Sequence, residues 1–141
     1  MSIAPTSIEL ISEGDELPSR THVATNVSLF LYNAAVWNPH RIHYDERYTT
    51  GVERHPGIVI DGPLQGDWLA QAALEWLGDD GELVSFRYTN RRAAYLGERL
   101  VSGGVVEAID ADAGTVTLAL HIKNVDGEIT SPGQAVVRLG R

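Results

Sequence analysis

The strongest constraint on the fold is one helical pattern that carries almost no charge and is followed only by strand patterns. From Gly62-Pro63 to Gly78, apolar residues recur every three or four positions, and Pro63 suits the first turn of a helix because its φ angle is fixed. A helix with so few charges is expected to be buried over most of its circumference. We predict this helix over 63–77. The expected core also includes all three tryptophans, Trp37, Trp68 and Trp76.

The second half of the chain has the alternating pattern of a sheet. The clearest stretch is 115–123, where Val116, Leu118, Leu120 and Ile122 alternate with polar or small residues. One long helix followed by an antiparallel meander predicts an α+β domain of the hot-dog type, with the sheet wrapped around the helix. Further strands are predicted over 7–11, 22–25, 83–94, 100–109 and 134–139, with a bulge or close backbone approach at Gly103-Gly104.

A shorter helix is predicted ahead of the long one. Apolar residues fall at helical spacing over 27–36, and Asn26 is a suitable N-cap. Asn38-Pro39 ends this helix, because the residue before a proline leaves the helical region. Residues 38–45 are therefore predicted to form a loop, after which Asp45 is placed to cap one further helical turn.

Composition excludes several classes of protein. The net charge is −8 and the 11 basic residues are scattered apart from Arg91-Arg92, which argues against nucleic-acid binding. The absence of cysteine excludes a disulfide framework, a zinc–cysteine site and a thiol nucleophile. No basic residue precedes Arg20 and no apolar run approaches about 18 residues, so neither a signal peptide nor a membrane span is expected. We expect one domain over 1–141 and a cytoplasmic location.

Segment 38–45 holds most of the side chains that could carry chemistry. It places an amide, two imidazoles, a guanidinium and a carboxylate within eight residues, and Asp61 follows His43 by eighteen positions at the start of the long helix. Titratable groups near a helix N-terminus are suited to acid–base chemistry on a carbonyl compound. The five side chains are Asn38, His40, Arg41, His43 and Asp45.

Several runs of residues match one known family. They are Tyr32-Asn33-Ala34-Ala35-Val36-Trp37-Asn38, His40-Arg41-Ile42-His43-Tyr44-Asp45, His55-Pro56-Gly57 and Gly62-Pro63-Leu64-Gln65. With these runs the chain resembles the MaoC-like acyl-thioester hydratases and dehydratases, above all the subgroup related to mitochondrial 3-hydroxyacyl-thioester dehydratase and mesaconyl-CoA hydratase. The resemblance covers nearly the whole chain. It implies a substrate carried as a coenzyme A or acyl carrier protein thioester, no cofactor, and a homodimer or a heteromer with another hot-dog subunit.

Two positions depart from the family pattern. Most MaoC-like hydratases have an aspartate five residues before the catalytic histidine, where this chain has Asn38, a residue associated with the dehydratase-like subgroup. That subgroup usually has a histidine immediately before the Gly-Pro-Leu-Gln run, where this chain has Asp61. The second departure bears on the chemistry, or at least on the substrate.

The resemblance implies roles that the residue types can fulfil. His43 is expected to be the acid–base group, because an imidazole titrates near neutral pH. Asn38 cannot transfer protons, but its amide can hold the water or the substrate hydroxyl. The first turn of the long helix can stabilise the negative charge that forms on the thioester oxygen. Because Pro63 has no N–H group, the candidate donors are the backbone amides of Gly62, Leu64 and Gln65.

Other roles remain open from the sequence. Asp61 is either a third catalytic group or only the cap of the long helix, and the cap is the preferred interpretation. Arg41 either binds a carboxylate or phosphate of the substrate or pairs with an acid, whereas His40 either contacts substrate or is structural. Asp45 fits a helix cap better than a proton carrier. His40, His43 and Asp45 do not form a convincing ligand set, so no metal is expected.

Three functions compete. The first is reversible hydration of a 2-enoyl thioester to a 3-hydroxyacyl thioester. The second is a thioesterase, which the same fold supports and which would use a carboxylate, either Asp61 or Asp67. The third is a non-catalytic partner subunit of a heteromeric hydratase.

Overall fold

The computed structural model describes residues 7–140, which form five antiparallel strands wrapped around one long helix. The hot-dog architecture and the α+β class predicted from the sequence are therefore confirmed. The helices are α1 (Asn26–Val36), α2 (Glu46–Gly51) and α3 (Gly62–Leu77), with single 3₁₀ turns at Ile8–Leu10 and Arg41–His43. The strands are β1 (Arg20–Val23), β2 (Glu82–Tyr88), β3 (Arg99–Asp110), β4 (Thr115–Lys123) and β5 (Ile129–Arg138), in the sheet order β1-β3-β4-β5-β2.

The core lies between α3 and the concave face of the sheet. α3 carries Pro63 in its first turn and ends at Gly78, whose φ of 78° is accessible to glycine. Leu69 and Ala73 of the helix are buried against the sheet, and strand β4 has the predicted bounds. The sheet residues predicted to face the core are all buried: Val116, Leu118, Leu120 and Ile122.

Several of the predicted strands differ from the observed structure in whether they form or in where they begin and end. Residues 7–11 do not form a strand, because the Ser7 hydroxyl accepts from the Glu9 N–H group and starts a 3₁₀ turn. β2 ends at Tyr88, which pairs with Gly133, and β5 begins before the predicted residue 134. Beyond Tyr88 the chain keeps irregular hydrogen bonds to β5, from the Thr89 N–H group to the Pro132 carbonyl and from the Arg91 N–H group to the Thr130 carbonyl. The Asn90 side chain lies against Gly62 at the start of α3.

The glycine pair in β3 marks a close approach and not a bulge. The register of β3 against β4 shifts between Val106 and Ala108, three residues beyond Gly103. At Gly104 an added Cβ would lie 2.5 Å from the carbonyl oxygen of Ala119. Glycine is therefore required at 104 by the neighbouring backbone.

Helix α1 begins and ends differently from a simple amphipathic helix. Its N-cap is Thr25, one residue before the predicted Asn26, and Thr25 forms a reciprocal capping box with Ser28. It ends at Trp37, in the left-handed conformation with φ of 54°, just before Asn38-Pro39 as predicted. Trp37 is 91% exposed, so its predicted place in the core is wrong.

The other two tryptophans pack against the fold. Trp76 is buried in the core, whereas Trp68 is half-buried and stacks on the His22 ring at a centroid distance of 4.2 Å. None of the three helices in residues 7–140 is long and apolar enough to cross a membrane.

The segment between α1 and α3 is fixed by short-range contacts. Asp45 caps α2 as predicted, since its carboxylate accepts from the Tyr48 N–H group at 3.0 Å. The Val59 N–H group donates to the Ile42 carbonyl, and the Ile60 N–H group donates to the Ala94 carbonyl. These bonds hold the 41–43 turn beside the chain that enters α3, so positions 43 and 61 become neighbours.

Candidate active site

His43 lies at the centre of the candidate site, and one of its ring nitrogens already forms a hydrogen bond within the fold. The residue is 8% exposed, and its Nδ1 lies 2.7 Å from the Val59 carbonyl oxygen. A carbonyl oxygen only accepts hydrogen bonds, so Nδ1 must carry a proton. In the neutral ring Nε2 is therefore free to accept a proton, which is the tautomer that a general base requires.

Asp61 faces that free nitrogen from the interior. Its carboxylate is fully buried, and Oδ2 lies 3.4 Å from His43 Nε2, within ion-pair range but longer than an ordinary hydrogen bond. Oδ1 accepts from the Asn33 amide at 3.0 Å and Oδ2 accepts from the Asn38 amide at 3.1 Å. The carboxylate is placed to stabilise the imidazolium that forms when Nε2 takes up a proton.

The structure contradicts the preferred interpretation of Asp61 as a cap. Asp61 occupies the N-cap position of α3, but its side chain makes no capping hydrogen bond. Its backbone carbonyl does accept from the Gln65 N–H group, as a residue in that position should. Cap preferences describe a position in the chain, whereas the Asp61 side chain is turned away from the helix N–H groups by three polar partners in the interior.

Asn38 bridges the buried carboxylate and the surface. Its Oδ1 accepts from the His40 N–H group at 3.1 Å, which fixes the amide so that Nδ2 donates to Asp61. The loop is held further by the Tyr44 hydroxyl, which donates to the Pro39 carbonyl. One hydrogen of the Asn38 Nδ2 remains for a ligand, because each amide nitrogen carries two.

Asn33 is a site residue that sequence reasoning missed. It lies on the buried face of α1, is 6% exposed, and donates from Nδ2 to both the Leu29 carbonyl at 2.8 Å and Asp61 Oδ1 at 3.0 Å. Its own Oδ1 is buried and has no hydrogen-bond partner within residues 7–140. Such an orphan acceptor costs about 1–3 kcal/mol. The sequence did contain one signal for this residue, namely an asparagine placed one helical turn after a leucine of the core.

The first turn of α3 offers two of the three predicted backbone donors. The Gln65 N–H group already donates to the Asp61 carbonyl at 3.2 Å, which leaves it less suited than the other two to bind a thioester oxygen. The Gln65 side chain is also buried, where it accepts from the Ser131 hydroxyl. Within the described residues the N–H groups of Gly62 and Leu64 make no backbone hydrogen bond, so both remain available.

Arg41 and His40 lie at the rim of the site. Arg41 pairs with Asp45 at 2.8 Å and its guanidinium lies 4.1 Å from the Tyr48 ring centroid. The pKa of Asp45 is lowered first by the Tyr48 N–H group and then by Arg41. His40 is exposed, with its ring centroid 5.8 Å from that of His43. Of the two roles open for Arg41, the structure therefore shows pairing with an acid.

A cleft of about 390 Å³ at the rim is lined by Asn38, His40 and Arg41, and two further clefts also meet candidate residues. One, of about 540 Å³, is lined by Asn33 and Asn38 together with Phe30, Trp37 and Tyr44. The other, of about 350 Å³, is lined by His43 and shares Phe30 and Tyr44 with the first. A larger groove of about 930 Å³ runs along the exposed side of α3, and Asp67 lines it, whereas none of the residues predicted for the hydratase does. The chemistry of the lining, not the volume, identifies the site.

The acidic and imidazole groups of the site do not form a metal-binding set. Within residues 7–140, no group of three or more histidine, aspartate or glutamate side chains is arranged to hold a metal ion. At the site itself, the described contacts bring together one imidazole and one carboxylate, His43 and Asp61. Proton transfer is the chemistry that this pair can perform.

Comparison with known families decides the affiliation. Residues 5–96 match the model of one family, described as hydroxyacyl-thioester dehydratase type 2. The chain belongs to this family. The match includes the His43 loop and the start of α3, and the MaoC-like resemblance expected from the sequence is confirmed.

Individual relatives agree with this affiliation. A mesaconyl-C(4)-CoA hydratase from Chloroflexus aurantiacus is 41% identical over 70 residues, which cover 50% of this chain and 25% of that protein. The matches span between 13% and 35% of the length of the curated relatives.

Two solved structures share the fold. A MaoC-like dehydratase superposes with a TM-score of 0.87 at 22% identity, covering 97% of this chain and 44% of that one. The ChsH1-ChsH2 complex from Mycobacterium tuberculosis gives 0.80 at 15% identity, covering 91% and 98%. At these identities the superpositions show the hot-dog fold, and the second shows that structural neighbours include a complex of two different subunits.

Proposed function

We propose that this chain catalyses the reversible addition of water to a 2-enoyl thioester, giving a 3-hydroxyacyl thioester. The observation that carries the proposal is the convergence of His43, Asp61 and Asn38 at the start of α3. The family affiliation and the mesaconyl-C(4)-CoA hydratase relative support the same reaction class. Coenzyme A and acyl carrier protein are both candidate carriers of the acyl group.

His43 performs the proton transfers in this proposal. In hydration, Nε2 takes a proton from water as the oxygen bonds to Cβ of the enoyl group, and the imidazolium then delivers a proton to Cα. The O–H bond of water breaks while C–O and C–H bonds form, and His43 returns to its starting state. Asp61 is buried, so it acts through His43 by stabilising the imidazolium, and Asn38 orients the water or the substrate hydroxyl.

The thioester and the acyl chain have separate candidate sites. In this proposal the N–H groups of Gly62 and Leu64, at the positive end of α3, donate to the thioester oxygen as it becomes an enolate; their lack of a backbone hydrogen bond supports this role. We place the acyl chain in the 540 Å³ cleft, whose lining beside Asn38 is mainly apolar and aromatic. His40 and Arg41 stand at the rim, where contact with the carrier is open to them.

The geometry favours the hydratase over its two rivals. Asp61 has no exposed surface from which to attack a thioester, and Asp67 lines the groove on the exposed side of α3 instead of the His43 cleft. Both observations argue against a thioesterase that uses either carboxylate. A histidine in a fixed tautomer facing a buried carboxylate argues against a non-catalytic subunit.

We also propose that the chain acts as a dimer or pairs with another hot-dog subunit, in the cytoplasm and without a cofactor. The outer edges of β1 and β2 are unpaired within the described residues, and pairing would cover one of them. Sedimentation at micromolar concentration tests the assembly, and a stable species of 15.3 kDa contradicts it. Cell fractionation tests the location. Activity after exhaustive dialysis against a chelator tests the absence of a cofactor.

One assay separates the proposed function from its rivals. The protein is incubated with panels of enoyl, 3-hydroxyacyl and saturated acyl thioesters of coenzyme A, and the products are analysed by mass. We expect enoyl substrates to gain one water and hydroxyacyl substrates to lose one, with no free coenzyme A. Release of free coenzyme A instead supports a thioesterase. Absence of any change, with the carrier varied, contradicts the enzymatic proposal.

A further inference from the structure

Asn33 has a fixed amide orientation that points to a specific partner. Its Nδ2 hydrogens go to the Leu29 carbonyl and to Asp61 Oδ1, at 2.8 Å and 3.0 Å. Neither an ionised carboxylate nor a carbonyl can donate a hydrogen bond, so a flipped amide would set oxygen against oxygen. The nitrogen must therefore face Asp61.

Packing does not explain why this residue is an asparagine. The Oδ1 atom is buried without a hydrogen-bond partner in the described part of the chain, and that costs stability. Asparagine is also a poorer helix former than leucine, which has the same branched side-chain shape. A residue kept only to fill the space between α1 and α3 would not carry both penalties.

The two oxygens of the Asp61 carboxylate have different partners. Oδ1 is held by Asn33, whereas Oδ2 is directed to Asn38 and to His43 Nε2. Among the hydrogen bonds of residues 7–140, Asn33 is the side-chain donor to Oδ1. If that bond is removed, the carboxylate can turn about its last side-chain bond and Oδ2 leaves the imidazole.

We propose that Asn33 is a positioning residue, which holds the Asp61 carboxylate in the orientation that presents Oδ2 to His43. The inference rests on the proposed function for its kinetic consequences, and on geometry alone for its effect on the His43 ring. Asn33 does not need to touch substrate to act in this way.

The test substitutes Asn33→Leu, which keeps the branched shape and the number of heavy atoms and removes the amide. We expect kcat to fall about tenfold to a hundredfold while KM changes less than about threefold, because misplacement of a catalytic partner affects the reaction more than binding. The unfolding midpoint should change little, because removal of the orphan acceptor offsets the loss of the hydrogen bond to Asp61 Oδ1. Leu29→Val, on the same buried face one turn earlier, is the packing control and should lower the unfolding midpoint without lowering kcat.

A second arm tests whether Asn33 acts through Asp61. In an Asp61→Asn background, Asn33→Leu should cause no further loss of kcat beyond about twofold, because the carboxylate that it positions is already absent. An equal fractional loss in both backgrounds would overturn the proposal, as would full activity of Asn33→Leu alone. If Asn33→Leu does not fold, Asn33→Ala is judged by the same criteria.

A spectroscopic readout separates this inference from the proposed function. The ¹⁵N shifts of the His43 ring report whether Nε2 carries a proton and do not require any substrate. Asn33→Leu should move these shifts toward those of Asp61→Asn, even if no thioester is turned over. Shifts identical to those of the unsubstituted protein would overturn the role of Asn33, whatever the activity assay shows.

Discussion

Asp45 and Asp61 occupy the same position in two consecutive helices but are used in opposite ways. Asp45 precedes α2, accepts from the Tyr48 N–H group and pairs with Arg41 at the surface. Asp61 precedes α3, makes no capping bond with its side chain and is fully buried beside His43. A carboxylate that leaves free helix N–H groups unused, and is instead desolvated against amides and an imidazole, is placed for chemistry and not for helix stability.

The largest effect is expected at His43, the group that Asp61 faces and Asp45 does not. His43→Ala should lower turnover by about a hundredfold or more, the usual scale for loss of a general acid–base group. Turnover is measured on the best thioester of the panel, with circular dichroism as the control for folding. A folded variant within a few-fold of the unsubstituted protein would remove His43 from the mechanism.

Asn38 provides a second way to tell Asp61 from Asp45, because its amide donates a hydrogen bond to Asp61. Asn38→Ala should reduce kcat about tenfold, through loss of one hydrogen bond to Asp61 and of one to the reacting oxygen. Asn38→Asp should be more damaging than Asn38→Ala near neutral pH, because a second carboxylate would face Asp61 in the interior. Steady-state kinetics of the two variants decide the order. An Asn38→Asp variant with full activity would show that Asp61 does not need an amide partner.

Asp45 should affect stability alone. Asp45→Ala should lower the unfolding midpoint by about 3–6 °C through loss of the cap, and should leave kcat unchanged. The folded state lowers the pKa of Asp45, so its contribution is present above the ordinary carboxyl value of 3.8 and is lost as pH falls through the folded value. The difference in unfolding midpoint between Asp45→Ala and the unsubstituted protein should therefore disappear in acid. A difference that persists in acid, or a large loss of kcat in Asp45→Ala, would contradict the capping role of Asp45.

The smallest effect is expected at Trp37, which lies at the surface beside the cleft. Trp37→Ala should hardly change the unfolding midpoint, because the side chain is 91% exposed. If the cleft beside Asn38 receives the acyl chain, KM should rise about threefold to tenfold for long chains and less for short ones. Equal KM values across chain lengths would place the acyl group elsewhere.

The sequence predicted the regular parts of the fold because their signals are local. The period of α3 and the alternation of β4 are set by residues a few positions apart, and both elements have nearly the predicted bounds. Trp37 was misplaced because hydrophobicity alone cannot distinguish the core from the wall of a cleft.

The candidate site was only partly predictable for the opposite reason. His43, Asn38 and Asp61 were selected as residue types, but their contacts depend on long-range packing of α1, the 41–43 turn and α3. Asn33 lies in the run 32–38 that resembles the family, but nothing in that run assigns it a role, which is visible only once the neighbouring carboxylate is placed. The cap interpretation of Asp61 followed a rule that describes Asp45 correctly, so position in a helix could not separate the two.

The different roles of the two aspartates are tested most directly by replacing each with asparagine. For both variants, kcat and the unfolding midpoint are measured side by side. Asparagine caps a helix about as well as aspartate, so Asp45→Asn should change neither quantity appreciably. Asp61→Asn removes the charge that stabilises the imidazolium, and kcat should fall about a hundredfold while the midpoint stays nearly the same. An Asp61→Asn variant that retains full activity would show that the buried aspartate is structural, and would contradict its role in stabilising the His43 imidazolium.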